Sequence, residues 1–185
     1  YRVEGLPAHL GLAESSDGGE SWSVDPELLG RVDFHALAWA EDVLYGADTD
    51  GRIRVRQPDG TWNDRGRLDA ADLAVDPIDP NHLLAASDGG LWHSTDGGRT
   101  WVGDPNAPAI TQVEWTADDG VVVATTAGDI RRAADPQATW RTIVAPPVDV
   151  ETLAIVDGRW LVTGRGGTIH ELVGETWMPL YEPTR

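Results

Sequence analysis

The chain has 185 residues, a formal charge of −17 and no cysteine. The missing thiols exclude disulfides, thiolate chemistry and Cys-ligated zinc. The charge repels phosphate backbones and anionic lipid, and no apolar run is long enough to insert into a bilayer, so neither nucleic acid nor membrane is expected as a partner.

All 14 basic residues are arginine. Codon bias in a GC-rich genome and a salt-adapted surface both account for this, and both concern the organism more than the activity. The 21 glycines, 12 prolines and 9 tryptophans point to an all-β repeat protein with frequent turns. The first residue is Tyr1 and the only methionine is Met178, so the natural start is expected to lie upstream.

In chain order, the first expected element is a strand over about residues 9–14, followed by a turn into Trp22. From residue 34 a four-part unit recurs. Apolar inner strands are expected at 34–39, 72–75, 112–115 and 152–156, and more strongly apolar second strands at 43–47, 82–86, 121–125 and 160–163. Gly/Asp turns at 48–51, 87–90, 127–129 and 164–167 lead into third strands at 52–56, 91–94, 130–133 and 168–172. A fourth strand then starts at a Ser/Thr-Trp dipeptide: Trp22, Trp62, Trp101, Trp140 and Trp177 are 40, 39, 39 and 37 residues apart. A period near forty with strands this short is that of a four-stranded propeller blade. No stretch sustains the i, i+3, i+4, i+7 pattern of a helix.

The reading is therefore an all-β propeller of four-stranded antiparallel blades. Four are full (31–68, 69–108, 109–147, 148–185), and residues 1–30 are the outer half of another. Because propellers close to hide their edges, an incomplete six- or seven-bladed ring is expected, extended at its N-terminus by one to three blades. Domain-swapped or oligomeric closure is the alternative.

Two turns share the pattern S-x-D-G-G-x-[ST]-W: Ser15, Asp17, Gly19 and Trp22 in one, and Ser94, Asp96, Gly98 and Trp101 in the other. The carboxylate is suited to accept backbone N–H groups of its own turn, the glycines to reverse the chain, and the tryptophan to cover apolar surface. None of this needs a substrate. The copies ending at Trp62, Trp140 and Trp177 are degraded, as a structural repeat tolerates. These motifs resemble the Asp box, or bacterial neuraminidase repeat, found in sialidases, xyloglucan-cleaving endoglucanases, sortilin-type receptors and photosystem II assembly factors. The runs Gly5–Leu12, Asp33–Leu37 and Asp72–Pro77 are similar to a group of secreted actinobacterial proteins called sialidase-like or glycosyl hydrolase. That resemblance implies an extracellular or envelope location and about two further blade-like units upstream. It does not imply hydrolysis, since function sits on sites and not on folds.

In a blade, the loop leading into the inner strand and the loop between the second and third strands lie on one face, and the Asp-box turns on the other. The first face yields the binding candidates Asp33, His35, Asp48, Asp50, Asp88, Asp129, Glu151 and Arg165, with Asp69, Asp72 and Gln112 beside them. A sialidase requires an arginine cluster, a Tyr–Glu nucleophile pair and an acidic donor. Its Arg-Ile-Pro motif is absent from this sequence, Tyr45 lies within a strand, and Arg52, Arg54, Arg56, Arg131 and Arg132 read as a solvated outer surface. A two-carboxylate glycosidase could draw on Asp33, Asp48, Asp88 and Asp129. With 31 acidic residues, such pairs also arise by chance. The histidines have no metal-ligand spacing, and residues 76–81 read as a proline-stiffened turn, not a calcium loop. No metal and no cofactor are expected. The leading expectation is a noncatalytic module that binds a protein or glycan. A sialidase-like glycoside hydrolase with its site partly in missing blades is the first alternative, and an assembly factor similar to the photosystem II factors the second.

Overall fold

The computed structural model describes residues 7–40 and 42–183, so Gly5 and Leu6 of the family-like run lie outside the described residues. Among these residues every regular element is a strand. Strands β1 (Ala13–Glu14) and β2 (Ser23–Val24) form a two-stranded sheet. Four antiparallel four-stranded meanders follow. The first comprises β3 (Phe34–Ala40), β4 (Val43–Asp48), β5 (Arg52–Arg56) and β6 (Trp62–Arg67). The second comprises β7 (Asp72–Val75), β8 (Leu83–Ser87), β9 (Gly90–Ser94) and β10 (Val102–Asp104). The third comprises β11 (Ile110–Thr116), β12 (Gly120–Thr125), β13 (Ile130–Ala133) and β14 (Arg141–Thr142). The fourth comprises β15 (Val150–Val156), β16 (Arg159–Gly164), β17 (Thr168–Val173) and β18 (Thr176–Tyr181). The expected strand over 9–14 is shorter than its apolar run suggests, because only Ala13 and Glu14 pair with β2.

The second strands are apolar without alternation because both of their faces are covered. Leu83 and Ala85 of β8 pack with Ala36, Tyr45 and Ile53 of the preceding sheet. Leu84 and Ala86, on the other face, pack with Val113, Val121 and Val123 of the following one. Val122 and Ala124 repeat the arrangement against Leu153 and Val162. Each such buried Leu, Ile or Val side chain contributes roughly 1.5–3 kcal/mol by leaving water. The inner strands touch in the order β3, β7, β11, β15, and among the described residues β15 does not touch β3, so the blades form an open arc.

The fourth-strand tryptophans extend the same covering. Trp62 stacks on Phe34 at 5.4 Å and packs on Leu12, Leu28 and Leu44. Its indole N–H donates to Asp25 Oδ2 at 2.8 Å. Trp101 packs against the cluster holding Ile53 and Val55, Trp140 against that holding Leu84, and Trp177 with Val122 and Ile130. Each indole thus lies on the sheet before its own. Trp22 departs from the expected burial: it is 65% exposed, because among the described residues no sheet precedes its own. Trp177, with such a sheet beneath it, is 8% exposed.

The two S-x-D-G-G-x-[ST]-W turns have matching hydrogen bonds. Asp96 Oδ1 accepts Thr100 N at 2.9 Å and Oδ2 accepts Thr100 Oγ1 at 2.6 Å, while Ser94 Oγ accepts Gly98 N at 2.9 Å. The corresponding distances around Asp17, Ser21, Ser15 and Gly19 are 3.0, 2.5 and 2.8 Å. These bonds, led by those from Thr100 and Ser21, hold Asp96 down to about 2 and Asp17 well below the ordinary carboxylate range. Gly98 has φ 78°, and a Cβ there would stand 2.9 Å from Ile53 Cγ2 of the preceding sheet. Its carbonyl accepts Gly66 N of that sheet at 2.8 Å. The second turn therefore fastens one blade to the next, whereas Gly19 and Trp22 of the first are exposed and Ser15 is half-buried. Residues 76–81 form the expected stiff turn, with Asp76 Oδ1 accepting Ile78 N at 2.8 Å and Asp79 Oδ1 accepting Asn81 N at 3.0 Å.

These environments separate the two turns experimentally. Asp96→Ala is expected to lower the melting temperature by about 3 °C or more, the shift that accompanies roughly 1 kcal/mol in a chain this size. Asp17→Ala is expected to lower it measurably less. In both, the stabilising carboxylate bonds are present above the ordinary Asp pKa and vanish as pH falls through the depressed one, so the wild type and Asp96→Ala converge on acidification towards pH about 2. Differential scanning calorimetry across acidic pH checks this.

Candidate functional site

The candidate residues fall into three distinct environments. Asp48, the last residue of β4, is buried and receives Asp33 N and Thr49 Oγ1, each at 3.3 Å, and Arg54 Nε and Nη2, each at 3.4 Å. Arg54 also donates to Asp64 Oδ1 at 2.6 Å, and its side chain is only 15% exposed. The expectation of a solvated Arg54 is thus corrected: a buried carboxylate beside the strand draws the guanidinium inward. Asp129 accepts hydrogen bonds from Thr125 Oγ1 and, at 2.8 Å, from Arg131 Nε, which hold its carboxyl below the usual range. Asp50 pairs with Arg52 at 3.2 Å, and Asp33 with His9 at 3.3 Å. Arg56 pairs with Glu14 at 2.6 Å and Arg132 with Asp119 at 3.5 Å. The arginines of the third strands are therefore matched to the chain's own carboxylates and do not converge on a substrate carboxylate.

His35, Asp69 and Asp88 form the second environment. They line one cavity of about 310 Å³ with Ser87, Ile110 and Thr111, at the junction of the first three full blades. All three are exposed, and among the described residues none of their side chains is engaged in a hydrogen bond. Asp88 sits at the β8–β9 turn with φ 49°, a left-handed conformation that only a short polar side chain adopts readily there. The backbone beneath is fixed, since Ser87 Oγ donates to the Asp69 carbonyl at 2.7 Å and Ile110 N to the Gly89 carbonyl at 2.9 Å. Glu151 and Arg165 lie exposed on the last blade, outside this cavity.

The third environment involves a residue the sequence reading missed. Asp72 on β7 and Glu114 on β11 are polar residues within the packed inner strands. Asp72 Oδ2 accepts Val113 N of the next blade at 2.9 Å, and Oδ1 accepts Leu73 N at 3.0 Å. Glu114 in turn faces Ile155 N of the blade after that, which partly offsets the effect of its burial. Burial raises Asp72 to about 6 against these bonds. Burial, with the Asp72 charge adding to it, raises Glu114 to about 7. The available signal was a lone acid in the β-strand run Ile110–Thr116, where alternation places it opposite Val122. Among the described residues no cluster of His, Asp and Glu suits a metal ion, and no helix is long and apolar enough to cross a membrane.

No family model matches the sequence, and no curated protein matches it. Solved structures do match. A structure of YCF48 bound to D1 peptide is 12% identical, with a TM-score of 0.57 over 90% of this chain and 59% of that one. The GH74 xyloglucanase from Xanthomonas campestris is 21% identical, with a TM-score of 0.60 over 80% of this chain and 30% of that one. The computationally designed Ika4 protein is 19% identical, with a TM-score of 0.53 over 77% of this chain and 91% of that one. The chain thus spans well under two thirds of the YCF48 and xyloglucanase structures. At these identities the likeness shows the fold alone, that of a β-propeller.

The raised inner-strand acids have a measurable consequence. A carboxyl whose folded pKa lies above its unfolded value favours the fold below the unfolded pKa, and this contribution is lost as pH rises through the folded one. For Glu114 that window runs from 4.5 to about 7. Glu114→Gln is therefore expected to stabilise the protein by on the order of 2 kcal/mol at pH about 8 and to be near neutral at pH about 4. Urea unfolding at the two pH values tests this.

Proposed function

We propose that this chain is a binding propeller, exported or attached to the cell envelope, that presents the face bearing His35, Asp69 and Asp88 to a protein or glycan partner. The observation that carries this reading is the contrast between these three exposed side chains, which make no internal hydrogen bond, and the other acidic candidates. Asp33, Asp48, Asp50 and Asp129 are engaged with His9, Arg54, Arg52 and Arg131. A rigid backbone holding uncommitted polar side chains around a cavity suits recognition with little ordering cost. The structural likeness to YCF48 bound to D1 peptide favours the protein side of this reading and keeps an assembly role in view. The S-x-D-G-G-x-[ST]-W turns serve the blades in this reading, as in Asp-box repeats.

A glycoside hydrolase is the second reading, and one observation favours it. Glu114 is held partly protonated near neutral pH, as a general acid must be. Against it, Asp72 accepts a backbone N–H from the next blade and Glu114 faces Ile155 N of the blade after that, which is a structural task.

The purified protein is expected to leave aryl sialosides and common aryl glycosides intact at acidic and neutral pH. On a combined peptide and glycan array it is expected to give a signal that Asp69→Asn with Asp88→Asn removes. Turnover abolished by Glu114→Gln, or an array signal indifferent to the double variant, would overturn the proposal.

A further inference from the structure

Strand β8 has two ends. Ser87 at one end borders the cavity of His35, Asp69 and Asp88. At the other, His82 borders a separate cleft of about 440 Å³ between the outer edge of the second full blade and the β13–β14 hairpin of the third. Its walls include His82, His93, Val102, Asp104, Gln137 and Trp140. The walls are set by packing. Trp140 rests on the cluster containing Leu84 and Val121. His82 stands edge-on to Trp115 at 4.7 Å and has Asp76 Oδ2 3.5 Å from its Nδ1.

Asp104 is the informative group. Its Oδ1 accepts Asn106 N at 2.8 Å. Its Oδ2 has only His93 Nε2 near it, at 3.5 Å, beyond the usual N–H···O length. The side chain is 19% exposed, so it is a largely desolvated carboxylate with acceptor capacity to spare, and no arginine lines the cleft.

We propose that this cleft receives a cationic side chain, arginine or lysine, from a basic segment of a protein partner. A carboxylate and an indole lining one concave site are the two groups that favour a guanidinium or ammonium ion, through a charge-assisted hydrogen bond and a cation–π contact. The chain already makes the second contact internally, with Arg132 Cζ 5.9 Å from the Trp160 ring centre. The formal charge of −17 draws a basic partner towards the surface and disfavours an acidic one. Anionic glycans are opposed by Asp104, and a neutral sugar makes no use of its charge. The site is independent of the opposite face and stands whether or not that face binds a partner.

The test is an NMR titration of the ¹⁵N-labelled chain with the capped tripeptide Gly-Arg-Gly and with its neutral isostere, in which citrulline replaces arginine. The arginine peptide is expected to give saturable shifts at the Trp140 indole N–H and over residues 102–106, weakening with added salt. The citrulline peptide is expected to bind on the order of tenfold more weakly, the ratio that corresponds to loss of one charge-assisted contact. Asp104→Asn keeps an acceptor for Asn106 N and is expected to weaken the arginine peptide to a similar degree. Asp88→Asn is expected to have no effect. Equal binding of the two peptides, a response confined to other residues, no response, or preference for a neutral disaccharide such as cellobiose would each overturn the proposal. The peptide comparison on the wild-type chain decides the matter even where Asp104→Asn does not fold.

Discussion

A sheet whose middle strands are apolar on both faces is not stable alone in water, and this constraint governs the whole molecule. Leu83 and Leu84 are adjacent in sequence and both fully buried, yet they point in opposite directions and satisfy different neighbours. Each of the first three full blades is therefore half of two cores. The arc of inner strands follows from this, because twisted sheets stacked face to face around short inner edges fan about an axis.

The same constraint shapes the polar groups. Where blades meet, acids of one inner strand face backbone N–H groups of the next blade: Asp72 accepts Val113 N, and Glu114 lies by Ile155 N. Those acids accept the cost of burial because an unsatisfied N–H there would also be costly. On the rims, arginines are neutralised by neighbouring carboxylates, leaving, among the described residues, Asp69 and Asp88 without a cationic partner and Asp104 beside only His93, at 3.5 Å. An excess of acid over base in the composition thus appears as a few specific positions and not as a uniform field.

Most of the fold was legible because it repeats. The tryptophan spacing, the two-sided apolar strands and the Gly/Asp turns recur in register, and four of the five tryptophans occupy equivalent places on the preceding sheet. The exception, Trp22, was illegible as an exposed residue because local sequence reports the turn and not what lies beneath the ring. The site was less legible. Loop position identified His35, Asp69 and Asp88, but gave no means of distinguishing them from Asp48, whose burial depends on Arg54 reaching it across the sheet from β5. Glu114 was missed because a single acid in a strand reads as a solvent-facing position. Only the neighbouring blade makes it a half-buried one. The cleft at Asp104 joins residues from two blades and has no contiguous sequence signature.

The stagger of the indoles gives the arc a direction. Every interface mates a tryptophan-bearing side with a smooth aliphatic side, so the two terminal surfaces are of unlike kind. One offers the uncovered Trp22, and the other offers Val156, Val173, Met178, Leu180 and Tyr181. A contact that repeated this packing would set the aliphatic side of one sheet under the indole of the next, and so would join unlike faces, head to tail.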